Sequence, residues 1–219
     1  MELEQKIHPT ALIHPKSKIH STVKIGAYSV IGKNVQIDQG SEIGNFVTLT
    51  GNTTIGKDNK IYHYCSLGEA PQDKKFKNEK TYLSIGDRNT IREFCTFNVG
   101  TVDGGGLTQV GNDNWLMAYV HIAHDCKLGN DIVLANNSSL AGHVEIDDFA
   151  ILGGFTLVHQ FCKIGAHIIT AVGTIILKDI PPYIRAAGDN AKPNGINIEG
   201  LKRRNFSTQS ILDLSLIHI

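Results

Sequence analysis

The chain has 219 residues, 41% of them hydrophobic, and its 21 basic and 21 acidic side chains balance to a net charge of zero. That balance provides no long electropositive surface, so nucleic acid and anionic membrane are not expected as partners. The longest apolar run, around Ile168 to Leu177, is too short to span a bilayer, and Met1 to Lys6 carries charge without an apolar stretch; a cytoplasmic protein without membrane insertion is expected.

In chain order, an aliphatic residue returns every sixth position from Ile7 through Ile13, Ile19, Ile25 and onward to Leu67. The count resumes at Ile85, Ile91 and Phe97, then runs from Val110 through Leu116, Ile122 and Leu140 to Ile164. About one residue in four is aliphatic in an ordinary domain, so a run this long at a fixed step marks a repeat protein. A six-residue step matches neither the helical period nor a long alternating strand; it fits a short strand and a corner, repeated.

Three such sides close a triangular coil, and stacked coils pair each strand in parallel with its equivalents roughly 4.8 Å away. The fold class predicted is an all-β solenoid, a parallel β-helix of hexapeptide repeats over residues 1–180. Two interruptions, near 69–84 and 102–109, must leave the prism as loops, and such insertions gather on a functional face. They carry Asp73, Lys74 and Lys75, then Asp103 and Gly104 to Gly106.

Residues 181–219 read as an exit segment and the start of a helical region. Pro181 and Pro182 are expected to stop strand pairing, and Ser207 to cap a short helix carrying Ile211 and Leu212. The terminal LSLIHI, 214–219, reads as a translated adaptor, so a longer natural chain is expected.

Cys65, Cys95, Cys126 and Cys162 each stand four places after a repeat leader, a slot that elsewhere holds Ser, Thr, Val or Ala. They read as small, reduced core residues rather than metal ligands. Most of the ten histidines read as surface residues, among them His8, His14, His20, His63 and His167.

HIAHDC, AGHVEIDD and VHQF differ. With eighteen residues per coil, His124, Gly142 and Gln160 fall in one column on one corner, with His143 one place along from Gly142. An imidazole can take a proton near neutral pH, a bare glycine N–H can meet an oxyanion, and Asp125 can orient the imidazole. General base plus oxyanion donor describes acyl transfer to a hydroxyl.

The strings HIAHDC, LANNSSLAGHVEIDDFAILGG, VHQFCKIGAH and NIEGLKRR, with the Pro-Pro-Tyr exit, resemble the UDP-N-acetylglucosamine acyltransferases that begin lipid A biosynthesis in Gram-negative bacteria. The resemblance covers nearly all of the chain to about Ser210. It implies a left-handed β-helix, a cytoplasmic homotrimer and a cleft between neighbouring prisms. It also implies transfer of an R-3-hydroxyacyl group from acyl carrier protein to the sugar 3-hydroxyl, with no cofactor beyond the carrier's phosphopantetheine and no metal.

Carried over residue by residue, His124 is the general base, Asp125 its support and the Gly142 N–H the oxyanion donor. Asp73 and Lys75 contact sugar and phosphate; His121, His143 and Gln160 line the cleft; Asn197, Glu199, Arg203 and Arg204 hold the uridine diphosphate and receive the carrier. Val172 stands where some members have glycine at the end of the acyl groove, which implies shorter chains. Asn98 stands where the family often has histidine. The competing readings are a zinc-dependent carbonic anhydrase-like β-helix, with histidine ligands at corners, and a catalytically inert solenoid.

Overall fold

The structure, a computed structural model, describes residues 6–217. The hexads form short strands, most of two residues, in three sheets that wall a triangular prism. Sheet I runs through the leaders Ile13, Ile31, Leu49, Leu67, Phe97, Ile122, Leu140, Val158 and Ile176; sheet II through Ile19, Ile37, Ile55, Ile85, Val110, Leu128, Ile146 and Ile164. Sheet III runs through Ile25, Ile43, Ile61, Ile91, Leu116, Leu134, Leu152 and Thr170. The fold is a left-handed parallel β-helix.

Each leader points inward because only one residue of a two-residue strand can face the axis. From Ile25 to Ile164 the aliphatic leaders are at most 3% exposed, and burying each stabilises the prism by roughly 1.5–3 kcal/mol. The narrow axis leaves room for a small second inward residue at the corner, which is where all four cysteines lie, buried and free.

The same slot on sheet III holds Asn59, Asn89 and Asn114, a buried carboxamide ladder. Asn89 Nδ2 donates to Asn59 Oδ1 at 3.0 Å and to the Gly111 carbonyl at 2.9 Å, while Asn89 Oδ1 accepts the Asn114 N–H at 2.9 Å. Each amide therefore satisfies backbone groups that the corner leaves unpaired.

Corners close through a residue in the left-handed region three places after the leader, including Tyr64, Asp113, Asp125, His143 and Phe161. That conformation costs a side-chain-bearing residue about 1–2 kcal/mol, offset here because the N–H so presented meets a carbonyl of the preceding coil: His143 N reaches His124 O at 3.0 Å and Phe161 N reaches Gly142 O at 3.1 Å. Five such rings, Tyr28, Phe46, Tyr64, Phe94 and Tyr119, stack along the edge between sheets III and I at centroid spacings of 4.8–5.2 Å.

The chain leaves the prism after Glu69 and after Asn98 and re-enters it at Tyr82 and Leu107, so 82–84 and 107–109, expected as loop, are strand. Parallel pairing jumps from Ile55 to Ile85 and from Ile85 to Val110 without loss of register. Phe76 packs the first insertion back onto the core.

The exit segment corrects one expectation, that the prolines end strand pairing. Repeat geometry continues one coil past Ile164, with Thr170 in a leader slot, where its Oγ1 accepts the Gly153 N–H at 2.8 Å. Pro181 and Pro182 do not stop pairing: Ile184–Ala187 joins sheet III in parallel beside Thr170, and Lys192–Ile196 turns back antiparallel to it. The prolines sit in a corner, between the Ile180 and Tyr183 N–H groups that donate to Lys163 and Ala166, so the ladder does not miss their N–H. Helix α1, Ile198–Arg203, and helix α2, Thr208–Ile217, follow, with Ser207 capping α2 as expected. Ile211 is buried and Leu212 exposed. Of the suspected tail, 214–217 belongs to α2; His218 and Ile219 lie outside the described residues.

Candidate active site

On the edge between sheets I and II, strand His121–Ile122 is followed by a corner carrying His124 and Asp125. One coil on, Gly142 lies against the imidazole: a β-carbon built there would sit 2.5 Å from His124 Cε1 and 2.8 Å from Nε2. His143 meets the same ring edge-on at 5.1 Å and stacks on Phe161 of the next coil at 4.3 Å. Stacking at eighteen-residue intervals thus produces the column expected from the spacing.

Asp125 is fully buried by its side chain, while His124 keeps 16% exposure. His124 Nδ1 lies 2.8 Å from Asp125 Oδ2. The carboxylate also accepts the Thr101 N–H on Oδ1 at 2.9 Å and the Thr101 hydroxyl on Oδ2 at 2.6 Å. A carboxylate only accepts, so the proton it shares with His124 belongs on Nδ1, leaving the Nε2 lone pair free.

On the neighbouring edge, the equivalent backbone N–H groups of Asp87, Asn112 and Asn130 each donate to the side-chain oxygen of the next coil's Asn112, Asn130 and Asp148, at 2.7–2.8 Å. At the His124 corner that ladder is absent: Gly142 has no side chain to accept the His124 N–H, Gln160 does not accept the Gly142 N–H, and among the described residues neither N–H finds an acceptor. The Gly142 N–H is a donor available to something outside the fold.

A cleft of about 970 Å³ opens beside this column, roofed by the first insertion. His124, His143, Gln160 and Phe161 form one wall; Asp73 and Lys75 face them from the loop. Lys127, Glu145 and Lys163, one per coil on sheet II, complete the floor, with Lys163 paired to Glu145 at 3.1 Å. Asp73 Oδ1 also accepts the Lys75 N–H at 2.9 Å, which fixes the loop's turn.

His124, Asp125 and His143 each offer an atom within 4.8 Å of the others, a spacing a metal ion accepts. The donor set fits poorly, because both Asp125 oxygens are already hydrogen-bonded and His124 Nδ1 is turned into that carboxylate. The thiols are no nearer to chemistry: burial pushes Cys126 up to about 12, and hydrogen bonding to Cys65, then burial, raises Cys95. Of the histidines read as surface residues, His8, His14 and His20 cap their own turns through Nδ1 and His63 Nδ1 accepts the Asn45 N–H, whereas His167 is packed between Phe149 and Tyr183.

Residues 16–51 and 107–142 match the bacterial transferase hexapeptide family, and 179–218 match the second domain of UDP-N-acetylglucosamine O-acyltransferase. An acyl-[acyl-carrier-protein]–UDP-N-acetylglucosamine O-acyltransferase of Janthinobacterium sp. (strain Marseille) is 59% identical over 206 residues, 94% of this chain and 79% of its own length. The chain belongs to the UDP-N-acetylglucosamine O-acyltransferase family. The solved LpxA structure from Acinetobacter baumannii superposes with a TM-score of 0.95 at 44% identity, covering 97% of this chain and 83% of that one. The Francisella novicida UDP-N-acetylglucosamine acyltransferase gives the same TM-score and identity, covering 97% and 78%.

The remaining residues expected from resemblance to the UDP-N-acetylglucosamine O-acyltransferases fall elsewhere on the prism. His121 does not line the cleft described; it lies on the flat face of sheet I, with Nδ1 2.8 Å from Thr96 Oγ1, and burial lowers its pKa. Val172 is 76% exposed on the edge between sheets III and I. Asn197 caps α1, accepting the Gly200 N–H and donating to the His167 carbonyl at 2.9 Å, while Glu199 pairs with Lys202 at 3.2 Å.

Arg203 and Arg204 line a small hollow on the edge between sheets II and III. The Arg204 guanidinium lies 4.2 Å over Phe149 and 3.7 Å from Asp131. Asn98, on sheet I, is buried, donates to the Ala70 carbonyl at 3.0 Å and leaves Oδ1 without a partner among the described residues. Sequence spacing missed Thr101, Phe161 and the Lys127–Glu145–Lys163 row. The last two were legible, since 143 to 161 and 127 to 145 to 163 are whole-coil steps.

Proposed function

We infer that this chain transfers an R-3-hydroxyacyl group from acyl carrier protein to the 3-hydroxyl of UDP-N-acetylglucosamine, the first step of lipid A biosynthesis. The observation that carries the mechanism is the juxtaposition of a free Nε2 on His124 with the unpaired Gly142 N–H, beside the cleft. Family membership supplies the substrates; the site residues supply the chemistry.

His124 Nε2 takes the proton of the sugar hydroxyl as that oxygen attacks the thioester carbonyl. Charge collects on the carbonyl oxygen, where the Gly142 N–H donates to it. Asp125 holds the imidazole in the required tautomer and stabilises the imidazolium that forms. Collapse breaks the carbon–sulfur bond, and the carrier's thiolate recovers the proton from His124. The products are an ester and a free phosphopantetheine thiol, and no other cofactor enters the balance.

Asp73 and Lys75 contact the sugar and its phosphate from the loop, with His143 and Gln160 beside the reacting groups. Arg203 and Arg204 have the guanidinium fork suited to a diphosphate or an acidic carrier protein. They lie on a different prism edge from His124, so a complete site needs a second copy, which supports a homotrimer with its clefts between prisms. No described helix is long and apolar enough to cross a membrane, in keeping with a soluble carrier as donor. The test is direct: purified protein, a 3-hydroxyacyl carrier protein and UDP-N-acetylglucosamine should give the acylated sugar nucleotide, and no product with any hydroxyacyl donor would reject the reading.

A further inference from the structure

We propose that the second insertion is a clamp for the catalytic pair, and that Thr101 is its positioning residue, fixing the Asp125 carboxylate and through it the tautomer of His124. The inference rests on His124 acting as the base.

Thr101 supplies two of the three hydrogen bonds that reach the carboxylate, one to each oxygen. Its hydroxyl is itself oriented, because Oγ1 accepts the Gly104 N–H at 3.2 Å. With its lone pair so engaged, the hydroxyl hydrogen is directed at Asp125 Oδ2. The result is a one-way relay: Gly104 N–H to Thr101 Oγ1, Thr101 O–H to Asp125 Oδ2, and His124 Nδ1–H to the same oxygen.

The loop backbone is shaped around that carboxylate. A β-carbon at Gly104 would stand 2.2 Å from Asp125 Cγ, and one at Gly100 would stand 2.7 Å from Oδ1. From the opposite side, Thr108 Oγ1 accepts the Asp125 N–H at 2.8 Å, which holds the left-handed corner. Asp125 is thus gripped at backbone and side chain by residues from both ends of one insertion. A loop serving only to cover the cleft would need none of these contacts.

The experiment compares Thr101→Val and Thr101→Ser with wild type in the acyl-transfer assay across pH. Loss of the hydroxyl should lower kcat about 10–100-fold, as for other groups that orient a reacting side chain, with KM nearly unchanged. Without that donor the carboxylate holds the imidazolium more tightly, so the acid limb of the kcat profile should move to higher pH. Serine, which keeps the relay, should restore both. Wild-type kcat and an unmoved acid limb in T101V would overturn the proposal, as would lost activity that serine does not rescue. Nitrogen NMR of His124 in the wild-type protein gives a measurement independent of the variants: the relay requires the proton on Nδ1, and a spectrum with Nε2 protonated overturns it. His124→Ala, run alongside, separates the readings. If it is inactive while T101V behaves as wild type, the clamp fails and the base stands; if it retains turnover, the base itself is rejected.

Discussion

The Cα of Gly142 rests against the His124 imidazole so closely that a single methyl group there would come within 2.5 Å of Cε1. Gly142→Ala should therefore push the ring out of line with the oxyanion donor, and lower kcat by about two orders of magnitude or more. The prism should survive, since the edge is open to the cleft. Kinetics with a parallel melting curve check this; an active G142A would remove Gly142 from the mechanism.

His124→Ala should reduce acyl transfer by about two to four orders of magnitude, the usual cost of a lost general base. Oligomeric state, read by light scattering, should not change. Turnover near the wild-type rate would leave the column without a catalytic role.

Asn89→Leu tests the carboxamide ladder. The leucine would leave the Asn114 N–H and the Gly111 carbonyl unpaired inside the prism, at about 2–6 kcal/mol for the two groups. Chemical denaturation should show a loss of that size, and a neutral outcome would mean that water enters the axis to replace the amide.

His167 is stacked between Phe149 and Tyr183, with Phe206 on its edge. Burial, and then the Arg204 charge, lower its pKa. The folded state therefore binds this proton less readily than the unfolded chain. Its contribution is present in full above the unfolded value of about 6.5 and is lost as pH falls toward the folded value. His167→Phe, which keeps the stack, should flatten the fall in melting temperature below that pH; an unchanged slope would show that other groups set it.

Val172→Gly should shift donor preference toward longer hydroxyacyl chains if the exposed Val172 side chain reaches a neighbour's groove. Competition between ten-, twelve- and fourteen-carbon donors measures it, and an unaltered product ratio would assign chain length elsewhere.

The prism and the His124–Gly142 column were legible because both follow from a period: whole-coil spacing converts sequence distance into contact. What lay outside the period was not. Thr101 belongs to an insertion and has no equivalent eighteen residues away, so only coordinates bring it to Asp125. Arg203 and Arg204 follow the last coil, and nothing in NIEGLKRR says which edge α1 will cross. Pro181 and Pro182 misled because the rule against proline applies to paired strand positions, and these two occupy a corner. His121, three residues before His124, projects from the flat wall of sheet I, so closeness in sequence does not place it in the His124 cleft of one chain.

The antiparallel return of Lys192–Ile196 has a consequence for the open end of the stack. A stack of parallel coils is a template for its own continuation, since the last coil exposes three rows of donors and acceptors in register for another. Here one of those rows is spent on a strand running backward, with Pro193 contributing no donor, and α2 packs beside it. A further parallel strand cannot pair with Ile184–Ala187 on that side of sheet III without displacing Lys192–Ile196, so this row no longer templates its own continuation.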